Sequence, residues 1–313
     1  MRHLGQESGM ALLLVLVVIA LLTSLLSEFA FSTLVDLRLT ETFRDRTAAY
    51  YLARGGVEAG RIILREDRNN YDHPEELWGQ GVVNYPAGMG TVSIEIEDLT
   101  GRFNLNGVAD ARGNPLPGYH RFVALCEEVL DISTAEADEL ASALVEWTNA
   151  ADGYRSPDDG YYQQQRPPYE RKAGTLDSVE ELYMIRGFDE EMVDRLRPFV
   201  RVFGAHRMNI NTAPPELLYA WQASAAAGLV ALVLDRDDID NIVTYRDSQS
   251  LEKLADLENV DGYEPSWISA WLDASVEGSV YRIRTEGQVN QGIRLAEATV
   301  LKQGNQLVAL KVE

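Results

Sequence analysis

The chain has 313 residues, 46% of them hydrophobic and 25% charged, with a formal net charge of −21. This is too apolar for a disordered polymer and long enough for about two domains. A single cysteine, Cys126, excludes an intramolecular disulfide framework and a cysteine-cluster metal site. The acidity argues against nucleic acid as a target, since phosphate binding needs a surplus of Lys and Arg. The charge is uneven: the first 65 residues hold seven basic and six acidic side chains, leaving 21 against 43, a formal −22, in the rest. The pattern is an acidic head on a nearly neutral stalk.

Residues 8–27 carry no charge, and 10–27 is an apolar run of eighteen residues. As a helix it is about 27 Å long, close to the hydrocarbon thickness of a bilayer. A buried helix of a soluble protein is the plain alternative, but few such helices begin with an unbroken apolar run at the N-terminus. A secretory signal fits less well. Only Arg2 and His3 precede the acid at Glu7, and no small-x-small site closes the run. Apolar residues recur at Phe31, Leu34, Leu37, Phe43, Ala49, Leu52, Ala53, Val57, Ile62 and Ile63, roughly one helical face. Residues 10–65 are therefore expected as one rod about 80 Å long. Gly55-Gly56 is its weak point, at about 1 kcal/mol per glycine relative to Ala.

Residues 91–98 alternate Val92, Ile94 and Ile96 with Ser93, Glu95 and Glu97, a half-buried strand. A turn-rich connector, 101–107, follows. Helical periodicity marks 122–130, 135–147, 179–185 and 190–199. Thr134 before Ala137 is a poor capping box, and Asp177-Ser178 before Val179-Glu180-Glu181 a good one. Between them, 148–176 is polar, with Pro157, Pro167 and Pro168, and too long for an idle loop in a compact domain. Met208-Asn-Ile-Asn-Thr-Ala-Pro-Pro-Glu-Leu-Leu218 reads as a short extended piece followed by a helix capped by Thr212. Helices are expected at 229–234, 239–246, 251–257 and 266–272, and strands near 280–288, 294–301 and 307–312. The strands at the two ends of the head are expected to form one antiparallel sheet against the rod, with the helices inserted between. Ser178-Val-Glu-Glu-Leu182…Gly187 is weakly echoed by Ser250-Leu-Glu-Lys-Leu254…Gly262. The sequence contains no GxSxG, HExxH or GxxxxGK, its four His are scattered, and Cys126 sits in a helical run where packing is expected, so no catalysis is expected.

The polar leader ending in Gly9, the apolar helix and its amphipathic continuation resemble type IV pilin-like precursors. The resemblance implies cleavage of the Gly9–Met10 bond by a prepilin peptidase and N-methylation of Met10. The fifth residue of the mature chain, usually Glu in that class, is here Leu14. Such a Glu neutralises the buried amine of the subunit above it, and a subunit with nothing above it needs none, so Leu14 reads as a tip position.

Leader, rod, Leu14, Phe103-Asn-Leu-Asn, Leu182-Tyr-Met-Ile-Arg-Gly187 and Asn209-Ile-Asn-Thr-Ala-Pro214, in this order, resemble the minor pseudopilin K (GspK) family of type II secretion over essentially the whole chain. The resemblance implies an α+β fold: a pilin-like N-terminal long helix packed on an antiparallel sheet, with a large inserted all-α domain. The implied division is leader 1–9, stalk helix 10–65, first part of the sheet domain 66–107, inserted α-domain 108–205, helical segment with a second hairpin 206–275, and C-terminal strands 276–313. It also implies a place at the tip of the pseudopilus, where the subunit initiates or caps assembly for protein export. The expected partners are the I and J minor pseudopilins, the major pseudopilin and the prepilin peptidase. The expected location is the inner membrane, single-pass, with the head in the periplasm. Tyr50, Leu52, Val57 and Ile62 on the rod are candidate partner contacts. A minor pilin of a type IV pilus or competence system, with a surface- or DNA-binding head, is the alternative.

The same resemblance implies calcium in the region 147–177. The chain keeps Trp147, Asp152, Tyr161, Tyr162, Pro168, Tyr169 and Asp177, but has Asn149 and Ala151 where acids are common and Ala173 where Asn is expected. Calcium takes six to eight oxygens. Asn149, Asp152, Asp158 and Asp159 are the candidate ligands, with a solvated acidic loop as the alternative. The segments 182–197 and 254–271 look like helix-hairpin-helix units, which hold DNA phosphate at a glycine hairpin. Asp189-Glu190-Glu191 and Asp261-Gly-Tyr-Glu264 put carboxylates there, so both are expected to be packing modules.

Overall fold

The computed structural model describes residues 6–223, 234–267, 271 and 273–313. The expected helix at 229–234 and most of that at 266–272 lie outside these. The first element, α1 (Gln6–Glu66), is a single helix of 61 residues, about 90 Å long, that runs unbroken through Gly55-Gly56. Its C-terminal part carries Ala49, Ala53, Gly56, Val57, Gly60 and Leu64 on one buried face at helical spacing. These residues are mostly small for a reason. A Cβ at Gly56 would sit 2.9 Å from Val92 Cγ2, and one at Gly60 2.8 Å from Ile283 Cγ2. The dipeptide read as a weak point is thus partly a close-approach surface, and Thr285 Oγ1 reaches across it to donate to the Ala53 carbonyl at 2.7 Å.

The surface that receives α1 is a five-stranded, wholly antiparallel sheet in the order β1-β2-β7-β8-β9. These strands are β1 (Val82–Ala87), β2 (Gly90–Asp98), β7 (Val280–Val289), β8 (Gly292–Leu301) and β9 (Gln306–Val312). Val92, Ile94 and Ile96 of β2 face the helix with Tyr281, Ile283, Ala296, Ala298 and Val300, and Trp78 of the short helix α2 (Leu77–Gln80) closes one end. The antiparallel sheet against a long helix is as expected; β1 and α2 are additions.

A second, larger core belongs to the helices between β2 and β7. They are α3 (Gly118–Leu130), α4 (Thr134–Thr148), α5 (Asp159–Gln163), α6 (Glu190–Leu196), α7 (Pro215–Ala223) and α8 (Arg236–Ser248). Two of the expected helices, 179–185 and 251–257, are 3₁₀ turns instead, at Val179–Met184 and Leu254–Asn259. The cap of α4 is Ser133, one residue before the expected Thr134. Glu136 Oε2 accepts from the Ser133 N–H at 3.0 Å, and Ser133 Oγ accepts from Glu136 N–H. Thr212 caps nothing: its hydroxyl donates to Asp98 Oδ2 at 2.7 Å.

This helical body is built twice. In the first half β3 (Phe103–Asn104) pairs in parallel with β4 (Val200–Arg201); in the second, β5 (Met208–Asn209) pairs in parallel with β6 (Ala274–Ser275). Each opening strand begins an Asn-x-Asn. Asn106 Oδ1 accepts from the Leu176 N–H and its Nδ2 donates to the Leu176 carbonyl, at 2.8 and 3.0 Å. Asn211 does the same to Leu251, at 3.1 and 2.9 Å. After each leucine a carboxylate gathers two backbone N–H groups, Glu181 from Asp177 and Ser178, Asp256 from Glu252 and Lys253. The echo in the sequence is real but displaced by three residues: Ser178 corresponds to Lys253, not to Ser250.

Candidate functional site

Function in this chain is spread over a helix surface and a head. The most apolar eighteen-residue stretch of α1 has a mean hydropathy of 2.8, and none of it is buried. Leu14 is 65% exposed, and Met10, Leu13, Leu16 and Leu21 are comparably open. By length and composition this helix is able to cross a membrane. The Gly9–Met10 bond lies inside α1, and nothing stands within 4 Å of where a Gly9 Cβ would be.

The four proposed partner contacts do not share a face. Val57 is buried against the sheet and is unavailable to a partner; Leu52 is half-buried beside Gly90 and Gly287. Val57 and Ile62 are five positions apart, about 140° around a helix. Ile62 is exposed and Tyr50 half-buried. The apolar residues that the head-proximal rod leaves open are Phe43, Tyr51 and Ile62.

Where the rod, sheet and helical body meet there is a buried polar junction. Asp98 accepts from Thr100 N–H at 2.7 Å and from Asn209 Nδ2 at 2.8 Å, besides Thr212. Fully buried Asp72 accepts from Gly278 N–H at 2.7 Å and from Lys302 Nζ at 2.7 Å, and Lys302 also donates to Asp67 at 2.8 Å. Burial pushes the Asp72 carboxyl up to about 7, against the pull of Lys302 and Gly278. Asp67, Asp72 and Glu76 lie close enough together to hold a cation, and Lys302 already supplies one to the first two. Their role is therefore read as tying the rod end and β8 to the body.

The four calcium candidates are not brought into one cage. Asn149 ends α4 and its Oδ1 accepts from Ala151 N–H at 3.0 Å. Asp152 is exposed on the following turn. Asp158 is paired with Arg186 at 2.8 Å, and Asp159 with Arg171 at 3.3 Å. Asp158 Oδ2 is buried with no hydrogen-bond partner. With Asp158 and Asp159 held by arginines and Asn149 turned to its own backbone, only Asp152 and one oxygen of Asp158 are left, far short of six to eight ligands, so the residues present do not fit a calcium ion.

Both helix-hairpin-helix segments turn at a positive-φ glycine, Gly187 and Gly262. At the first, Asp189 Oδ1 accepts from the Met192 N–H at 2.8 Å, filling the helix start that a phosphate would need, with Glu190 and Glu191 exposed beside it. Asp261 and Glu264 flank the second and are also exposed. Cys126 is completely buried, and burial pushes its thiol up, away from the reactive thiolate.

Comparison with known proteins agrees with the architecture. The model of a family described as type II secretion system (T2SS), protein K matches residues 101–205. The type II secretion system protein K of Aeromonas hydrophila is 27% identical over 331 residues, spanning 98% of this chain and 96% of that protein. Its counterpart in Pseudomonas aeruginosa is 25% identical, spanning 80% and 75%. The crystal structure of the GspK-GspI-GspJ complex from the enterotoxigenic Escherichia coli type 2 secretion system contains a chain of the same fold. Its TM-score is 0.66 at 19% identity, covering 89% of this chain and 99% of that one. The family match falls on the first half of the duplicated helical body, and the similarity to type II secretion system protein K extends over the rod and sheet as well.

Proposed function

We propose that this protein is a minor pseudopilin at the tip of a type II secretion pseudopilus, initiating or capping its assembly for protein export, without catalytic turnover. The observation that carries the reading is the division of α1: its first part is apolar and bare, while its last part is locked into a head by small residues. A helix so divided partitions into the inner membrane, at about −0.3 to −0.6 kcal/mol per central Leu, Ile, Val or Phe, and then exchanges lipid for neighbouring helices in the fibre. The head remains in the periplasm. Prepilin peptidase cuts Gly9–Met10 and the new Met10 amine is methylated. Leu14 offers no carboxylate to an amine above, and the acidic helical body blocks a further subunit from stacking there.

A solved relative of the same fold is in a complex with GspI and GspJ. By the same logic this chain pairs with the I- and J-type pseudopilins of its own system and joins the major pseudopilin below them. Phe43, Tyr51 and Ile62 are the apolar groups the rod has free for such contacts. Co-expression of the full chain with its cognate I and J proteins, followed by affinity purification in detergent, tests the reading. A ternary complex is expected, with an N-terminus that begins at methylated Met10. Repeated failure to recover the cognate pair, or an intact Met1, would refute it.

A further inference from the structure

The loop between α4 and the 3₁₀ turn at Val179–Met184 is long and polar, yet its backbone carbonyls converge. They converge on a side chain. The guanidinium of Arg171 donates to the carbonyls of Asn149, of Tyr154 at 3.2 Å and of Glu146 at 3.5 Å, and pairs through Nε with Asp159 Oδ1 at 3.3 Å. Its side chain is only 10% exposed, and its Cζ stands 5.2 Å from the centroid of the Tyr154 ring. We infer that Arg171 is the resident cation of this loop and orders it without calcium.

The donor set makes the case. Three carbonyls and a carboxylate are hard oxygens of the kind calcium takes, but here each already faces an N–H. A guanidinium presents its donors in a fixed plane and stays charged at any pH the protein meets, so it fills an irregular ring of oxygens that a single ammonium would not. The four loop acids not used by Arg171 do not rebuild a metal cage: Asp158 is paired with Arg186 and Asp177 with Lys172, and Asp152 and Glu170 stand exposed. The chain uses the same device elsewhere. Buried Arg201 donates to the carbonyls of Arg102, Phe203, Ala205 and Arg207, and Arg246 to those of Ile210 and Ala213. In both cases an irregular segment is gathered around a tethered cation rather than an ion from solution.

The loop also closes on an aromatic group, Trp147, Tyr162 and Tyr169, with centroids 5.2–6.2 Å apart. Its order is therefore visible in near-ultraviolet circular dichroism and in protection from trypsin of the bond between exposed Arg155 and buried Ser156, whose N–H is held by Asp159. The experiment uses the full chain in detergent, melted in excess EGTA and in about 5 mM CaCl₂, above the ~10⁻³ M upper end for extracellular calcium modules. The wild type is expected to melt within about 1 °C in the two buffers, with an unchanged aromatic signal. Stabilisation by calcium of more than about 2 °C, or loss of the aromatic signal in EGTA, would overturn the inference. Arg171→Ala is expected to expose Arg155–Ser156 to trypsin at least about tenfold faster, with Arg171→Lys intermediate. If Arg171→Ala cleaves as slowly as the wild type, the side chain does not order the loop. Should that variant fail to fold, the wild-type calcium comparison decides alone.

Discussion

Replacing Asn211 by Ala should cost the head more than any exposed substitution, because its amide serves three buried backbone groups at once. Leu251 N–H and C=O are bonded at 3.1 and 2.9 Å, and the Asp72 carbonyl at 3.3 Å. Asn211 is 3% exposed and Leu251 is fully buried, so water does not take over when the amide is removed. At about 1 kcal/mol net for each bond, with a desolvation penalty of about 1–3 kcal/mol where a partner is orphaned, the loss is on the order of 3–5 kcal/mol. For a head of this size that corresponds to a fall in melting temperature of roughly 10 °C. Urea unfolding followed by tryptophan fluorescence gives the free energy, and hydrogen exchange locates it. Deprotection should concentrate at 251–260, whereas Asn106→Ala, which frees Leu176 and the Val202 carbonyl, should loosen 176–185. A loss under about 1 kcal/mol would refute the argument, as would deprotection spread equally over both segments.

Lys302→Met should destabilise by about 3–5 kcal/mol, because Asp72 is left buried without its partner, and Asp72→Asn added to it should restore much of the loss. The deficit should be smallest below about pH 7, where the Asp72 carboxyl is protonated in the folded wild type as well, and grow above it; a difference in urea midpoint that stays flat across that pH counts against it. Gly60→Val should cost about 1–3 kcal/mol by driving Ile283 off its place, read as faster exchange along β7, and an unchanged melting point would show that the helix shifts freely. Cys126 should resist maleimide in the native protein and react only on unfolding; labelling at the rate of a free thiol would place it at the surface.

Much of the fold was legible where burial imposes a period. Val92, Ile94 and Ile96 alternate because one face of β2 lies on α1, and β7 and β8 read correctly for the same reason. β1 was not legible: Asn84 sits at φ 51°, Pro86 interrupts the run, and an edge strand with little buried surface leaves no alternation. The duplicated body was seen out of register because the sequence advertises side chains, while the equivalence lies in backbone bonds. Lys253 does not look like Ser178, yet the N–H of each goes to a carboxylate three residues on. Val57 passes for a partner contact in the sequence because amphipathicity shows that a helix has an apolar side but not what covers it. The loop acids look like ligands in the sequence because nothing there shows that Arg171 and Arg186 fold back on Asp159 and Asp158.

The two halves of α1 solve different problems with different residues, and this makes them separable. From Leu12 to Leu26 the helix relies on large aliphatic side chains, which serve equally against lipid or against another helix. From Ala49 to Leu64 it relies on the near absence of side chains, so that the sheet comes close enough for Thr285 to reach the helix backbone. A change in the first half, which packs on nothing in the head, leaves the head folded. A change in the second alters the angle at which head and rod are joined, and so the surface the head presents.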